Sequence, residues 1–201
     1  MNKILNIALK IQQYSSDQQG VFTLGDLKNI IAPRSKDELY EVISALIKSN
    51  ICNKFCRGFY NAPDFDPRVL SQRICQDSYV SFGSVLAEKL IIGSIPKYKV
   101  AVVKLGRSHS YSNGVYTIQH YGINRDLFLG YENVNGVNIA TPEKALLDTL
   151  YFYKKGISFS FEIYSDLDLT SLDKEILYRY LELYKDKRFV TFAKRLINEE
   201  Y

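Results

Sequence analysis

The stretch Ser35-Lys36-Asp37-Glu38-Leu39-Tyr40-Glu41-Val42-Ile43-Ser44-Ala45-Leu46-Ile47-Lys48 decides the fold, together with its continuation Ser49-Asn50-Ile51-Cys52-Asn53-Lys54-Phe55-Cys56-Arg57-Gly58-Phe59-Tyr60. Leu39, Val42, Ile43, Leu46 and Ile47 recur at intervals of three and four, which predicts a helix with one apolar face. Ser35 stands at its start as an N-cap, with Glu38 at capping-box spacing. Ser49-Asn50 ends the helix. The two apolar stretches Ile51–Phe55 and Phe59–Tyr60 flank Cys56-Arg57-Gly58, the pattern of a short hairpin with its turn glycine.

Upstream, Thr23 stands three residues before Asp26, an N-cap with an acid in the first turn. That helix runs to about Ile31 and cannot continue through Pro33. Earlier still, Ile4, Ile7, Ala8, Ile11 and Tyr14 share one face of a helix over residues 3–14, and Ser15–Gly20 reads as a loop. Helix, helix, turn, helix and hairpin in about 60 residues form the outline of a winged helix-turn-helix. In such a unit the turn sets the last two helices at a steep angle. The third helix can then enter the major groove while the hairpin lies against the phosphate backbone.

Charge agrees with that outline. Residues 1–62 hold eight Lys and Arg against five Asp and Glu, which gives most of the chain's net +4. The candidate DNA-binding residues are Arg34, Ser35 and Lys36 at the start of the third helix, Tyr40, Ser44 and Lys48 on its outer face, and Lys54 and Arg57 on the wing. Arg57 at the wing tip suits phosphate, and Tyr40 and Ser44 suit base edges. The same face exposes Asp37 and Glu41. Carboxylates repel phosphate, yet they can accept from cytosine N4. An ordinary solvated face is the alternative for these charges.

The segment Asn61-Ala62-Pro63-Asp64-Phe65-Asp66-Pro67 reads as a connector, giving a first domain over 1–62 and a second over 68–201. In the second, helices are expected over Pro67–Cys75 and from an N-cap at Ser81 to near Gly93. Strands are expected at Lys99–Leu105, Gly114–Tyr121, Leu127–Tyr131 and Val137–Ala140, with Arg107–Gly114 a polar loop. Thr141-Pro142-Glu143 opens a helix over Pro142–Lys154 that is apolar on most of its circumference, so it should be central. Two more helices are expected near Ser171–Lys185 and Arg188–Glu199. The fold class is therefore α+β: an N-terminal winged helix-turn-helix, then a mixed domain with a small sheet and several helices.

Little overt chemistry accompanies this plan. There is no Gly-rich phosphate loop and no nucleophile elbow. Glu143 and Asp148 lie five apart on one helix and do not converge. Asp148 within an apolar helix suggests a buried ion pair or cap. Nothing fixes the separation of His109 and His120, the two histidines. Cys52, Cys56 and Cys75 match no common zinc spacing and suggest reduced thiols in a cytoplasm. The apolar run Val100–Val103 is flanked by lysines, far short of the roughly 20 residues of a membrane span. The N-terminal stretch lacks signal-peptide features. With 46% hydrophobic and 24% charged residues, the composition excludes wholesale disorder and fibrous classes. No catalytic residue, metal or cofactor is expected, so the chain reads as a binding protein and not an enzyme.

Several segments resemble the AbiEi-family antitoxins. They are Phe22-Thr23-Leu24-Gly25-Asp26-Leu27, Leu46-Ile47-Lys48-Ser49-Asn50-Ile51, Arg57-Gly58-Phe59-Tyr60, Tyr79-Val80-Ser81-Phe82-Gly83-Ser84-Val85-Leu86 and Ala140-Thr141-Pro142-Glu143-Lys144-Ala145-Leu146-Leu147-Asp148. The likeness spans about residues 20–155. It implies a bacterial, cytoplasmic protein whose winged domain represses its own promoter by binding operator DNA upstream of its gene. Its second domain would counter a nucleotidyltransferase-like toxin without a stable complex, in a type IV toxin–antitoxin system tied to phage defence. Two other classes stand beside this: a protein-binding adaptor, and a nuclease-like enzyme with a winged-helix targeting domain. A nuclease wants Asp and Glu-x-Lys on a strand, a spacing that Glu143-Lys144 lacks.

Overall fold

The computed structural model describes residues 3–93 and 97–199. The fold is mixed α+β, with eight helices and two sheets among the described residues. The chain divides into two compact units. One holds the residues up to Ile74 with Tyr111–Thr117; the other holds Cys75–Ser110 and the residues from Ile118 onward. No helix among the described residues is long and apolar enough to cross a membrane.

The first unit contains α1 (Lys3–Asp17), β1 (Val21–Thr23), α2 (Leu24–Ile31), α3 (Lys36–Lys48), β2 (Asn53–Cys56), β3 (Phe59–Asn61) and α4 (Pro67–Ile74). Its core joins Ile7 and Ile11 of α1, Leu27 and Ile31 of α2, and Leu39, Val42, Ile43 and Leu46 of α3. The three strands are antiparallel in the order β1-β3-β2. Strand β1 has no counterpart in the sequence expectations, because three residues are too few to show an alternation. Thr23 ends it and caps α2. Its Oγ1 accepts from the Asp26 amide at 3.1 Å, and its own amide donates to Asp26 Oδ2 at 2.8 Å.

Asp26 also receives Arg73 of α4 at 3.1 Å, and Arg73 donates a second bond to the Val21 carbonyl. Helix α4, which the sequence places with the second domain, therefore lies in the first unit. The expected connector is packed as well. Phe65 is buried and meets the rings of Phe55 and Tyr116 edge-on at 6.1 and 5.1 Å. A Cβ on Gly20 would lie 2.6 Å from the Phe65 Cα, so the close approach of these two backbones requires glycine there.

The second unit contains β4 (Ser78–Val80), α5 (Gly83–Glu88), β5 (Lys99–Leu105), the first half of β6 (His109–Ser112), β7 (Thr117–Ile123) from Ile118 on, β8 (Tyr131–Val134), β9 (Val137–Ala140), α6 (Pro142–Lys154), α7 (Lys174–Leu181) and α8 (Lys187–Glu199). Its sheet runs β6-β7-β5-β4-β9-β8, with β4 antiparallel to β5 and parallel to β9, so it is mixed. The strands expected at Lys99–Leu105 and Val137–Ala140 and the helix Pro142–Lys154 stand at those bounds. Elsewhere the structure differs. The expected polar loop contains β6, and β7 starts three residues later than the spacing predicts. Residues 125–127 form a 3-10 turn in place of a strand, and β8 begins only after Gly130, whose φ is +72°. Asp173 caps α7 by accepting from the Glu175 and Ile176 amides, so this helix starts later than Ser171.

Helix α6 is buried from Glu143 to Leu150, and its polar members are satisfied internally. Lys144 forms an ion pair with Asp148 one turn on. Tyr79 Oη and Ser81 Oγ donate to Asp148 Oδ2 at 3.1 and 2.8 Å. Lys144 also donates to Tyr184 Oη at 3.4 Å. Burial, then the Asp148 charge, pushes the Tyr79 and Tyr184 phenols well up, so both keep their protons. Burial likewise raises the Asp148 carboxyl, while Lys144, Ser81 and Tyr79 pull it back. Asp148 is thus half of a buried ion pair, in keeping with its place in an apolar helix.

Ser81 serves this network and does not cap α5 as expected. Phe82 takes the cap position with φ 60° and ψ −144°, and no side chain caps the helix. A phenylalanine at positive φ is strained. Its ring is buried against Tyr121 and Phe152 at centroid distances of 5.1 and 5.5 Å, which holds it there.

Lys144→Met should lower the unfolding free energy by about 3–5 kcal/mol, because it leaves the Asp148 carboxylate buried without its counter-charge. Urea unfolding of the full chain at pH 7 measures this. Unchanged stability would contradict the role given to the pair.

Candidate nucleic-acid interface

The apolar stripe of α3 fixes what its other face can present. With Leu39, Val42, Ile43 and Leu46 buried, the helical period turns Lys36, Asp37, Tyr40, Glu41, Ser44 and Lys48 outward, and all six are exposed. Lys36, Tyr40, Ser44 and Lys48 stand on successive turns and span roughly 18 Å of helix. Asp37, Tyr40, Glu41, Ser44, Ala45 and Lys48 line one shallow hollow. A helix with side chains is about 10–12 Å across, close to the roughly 12 Å width of the B-DNA major groove.

The entry to α3 is tightly specified. Ala32 closes α2 in the left-handed region, φ 47°, with its amide bonded to the Lys28 carbonyl. Pro33 and Arg34 lead to Ser35, whose Oγ accepts from the Glu38 amide at 3.1 Å. The capping box expected here is only half formed. Glu38 reaches past the Ser35 amide and accepts from the Arg34 amide at 2.6 Å. It also pairs with Lys3 of α1. These two contacts, Lys3 first, hold the Glu38 carboxyl below the usual carboxylate range. The Lys3 partnership spans 35 residues, and no local pattern could have revealed it.

The hairpin adjoins this face. Lys54 is register partner of Tyr60, and Cys56 of Phe59, with an irregularity between Lys54 and Cys56. Gly58, at φ +84°, makes the turn, and its carbonyl accepts from the Leu24 amide at 2.9 Å. The turn is thereby tied to the start of α2, with Arg57 exposed at its tip. Burial raises the Tyr60 phenol, with smaller contributions from Tyr40 and Cys52. Helix α3 contacts strand β2, so its outer face and the exposed Lys54 and Arg57 of the hairpin adjoin one another.

All eight candidate residues are exposed: Arg34, Ser35, Lys36, Tyr40, Ser44 and Lys48 on α3 and its entry, and Lys54 and Arg57 on the hairpin. Ser35 has a structural duty besides, as the cap. The three cysteines are free thiols. Burial pushes the Cys52 thiol up to about 11, so it is not a reactive thiolate at neutral pH. His120 is buried, and its imidazole is held down to about 4 by burial and then by Lys104 and His109.

No family model and no curated protein matches this sequence. Among solved structures, the chain is similar to the crystal structure of the RV2827C protein from Mycobacterium tuberculosis. The TM-score is 0.65 and the identity 14%, over 95% of this chain and 75% of that one. At that identity the likeness is one of fold.

On duplex DNA, Arg57→Ala should weaken all sequences about equally and reduce the log–log salt slope by about one. Tyr40→Ala should instead relax preference at one base-pair position, by about 1–3 kcal/mol. Fluorescence anisotropy titrations over a salt series check both. The opposite assignment, with Arg57 controlling preference and Tyr40 silent, would mean that the helix and hairpin are misassigned.

Proposed function

We propose that the first unit is a winged helix-turn-helix with α3 as recognition helix and the β2–β3 hairpin as wing, and that the chain represses its own promoter. The observation that carries this is the outward face of α3. It is phased by the core, it adjoins strand β2 of the hairpin, and cations flank it: Arg34 and Lys36 at the helix start, Lys48 at its end, and Lys54 and Arg57 on the hairpin. Cations at the ends of such a helix meet the two phosphate walls of the groove, and the polar middle meets base edges. Its partner is operator DNA upstream of its own gene.

For the second unit we propose the antitoxin role of a bacterial, cytoplasmic, type IV, abortive-infection-like system, directed against a nucleotidyltransferase-type toxin. What supports it is the resemblance of Tyr79–Leu86 and Ala140–Asp148 to the AbiEi family. These two segments meet in one buried network, where Tyr79 and Ser81 donate to Asp148. The quoted residues are thus the ones that build this unit's centre. We assign it no catalytic step.

The full-length protein should bind the duplex upstream of its own gene more tightly than random duplex of equal length. Each phosphate contact contributes about 0.9 to the slope of log affinity against log salt. Five cations therefore set a limit of about 4.5 per bound copy from this face. Electrophoretic mobility shifts at several salt concentrations test this. Equal affinity for both duplexes, or no binding at low salt, would overturn the reading.

A further inference from the structure

The two carboxylates on the outward face of α3 make no hydrogen bond or ion pair among the described residues. Asp37 and Glu41 are exposed and, among the described residues, neither has an ion-pair partner. They stand at i and i+4, where like charges destabilise a helix slightly. Asp37 in the first turn gains from the helix dipole, but Glu41, a turn further in, gains little. Glu38 differs from both, since its carboxylate is taken up by Lys3 and the Arg34 amide. Two negative charges thus stand on a surface flanked by cations, Asp37 in its first turn and Glu41 one turn further in. Tyr40 lies between them, and Ser44 lines the same hollow.

We propose that Asp37 and Glu41 are specificity-determining residues that select cytosine in the operator, an inference that rests on the DNA-binding reading above. A carboxylate brought into the major groove is repelled by phosphates and by the O6 and N7 acceptors of guanine. It is accommodated only where the groove floor offers a donor. Cytosine N4 offers one with no acceptor beside it on the same base. Adenine N6 offers one too, but beside the N7 acceptor, which repels a second carboxylate oxygen. The two residues are separated by about 6 Å along the helix axis, roughly two base-pair steps at 3.4 Å each. The bound site therefore carries two cytosines about two positions apart. Elsewhere the same charges oppose binding, so they lower affinity for non-specific DNA and widen the ratio between operator and background.

The test is selection from a randomised duplex library with the full-length wild type, Asp37→Asn and Glu41→Gln, followed by titration of the enriched duplexes. Thermal melting verifies that these surface variants stay folded. Wild type should prefer cytosine at two positions by roughly five- to 150-fold each. Glu41→Gln should lose one preference and Asp37→Asn the other. Each should gain adenine there, because a carboxamide pairs with N6 and N7 together. Both variants should bind random duplex more tightly than wild type. If wild type enriches a motif and both variants enrich the same one, Asp37 and Glu41 are solvated charge and the proposal fails while the DNA-binding reading stands. If wild type enriches nothing, the DNA-binding reading fails and this inference with it.

Discussion

The rotational phase of α3 is the constraint on which the proposed DNA-binding surface depends. Leu39, Val42, Ile43 and Leu46 are buried against α1 and α2, and this leaves no freedom in what points outward. A rotation by one residue, about 100°, would move three of these four side chains out of the core and turn polar ones into it, at a cost of several kcal/mol. The outer row of Lys36, Tyr40, Ser44 and Lys48, with Asp37 and Glu41 beside it, is therefore a consequence of packing. Its ends are fixed by other means: the left-handed Ala32 and the Ser35 cap at the start, and the hairpin register at the far side. Arg73 and Asp26 hold the N-terminus of α2, which the turn glycine's carbonyl also contacts through Leu24. A reading surface needs this rigidity, since a base contact displaced by an ångström is lost.

The second unit is organised on a different principle. Its centre is a buried charge pair wrapped by two tyrosines and a serine. A buried pair of this kind adds little net stability over an apolar substitute, yet it tolerates no loss of one partner. It fixes how β4 and α6 meet, since Tyr79 and Ser81 reach Asp148 from only one register. The strained Phe82 lies next to Ser81 at the same strand-to-helix corner, buried among aromatic rings. Two of the segments resembling the AbiEi family supply this corner and this helix. The side chains of these two segments that build the network are all buried, and they hold the unit together.

Much of this is legible in the sequence wherever a periodic apolar pattern meets a cap. Helix α3 shows both Ser35 and a full stripe, and α6 shows Thr141-Pro142 before an apolar run; both stand where expected. Lys99–Leu105 is legible as an apolar run bounded by lysine and glycine. Strands β1 and β4, three residues each, are not, because so short a segment carries no alternation and is fixed by its neighbours. Helix α4 is legible as a helix, but its place is not: its packing against β3 and the Arg73 contacts with Val21 and Asp26 assign it to the first unit. All eight candidate interface residues are exposed, since exposure comes with helical phase and turn position. The quiet role of Glu38 is hidden from the sequence, because its partner Lys3 lies on another helix.

The central claim is that DNA meets this protein along α3 and the β2–β3 turn. Amide hydrogen exchange of the full-length protein, with and without the duplex upstream of its gene, tests that most directly. The account predicts slowed exchange in peptides covering Arg34–Lys48 and Lys54–Gly58, with little change across Pro142–Lys154 in the interior of the second unit. A bound duplex that leaves residues 34–58 unchanged and protects another surface would contradict it.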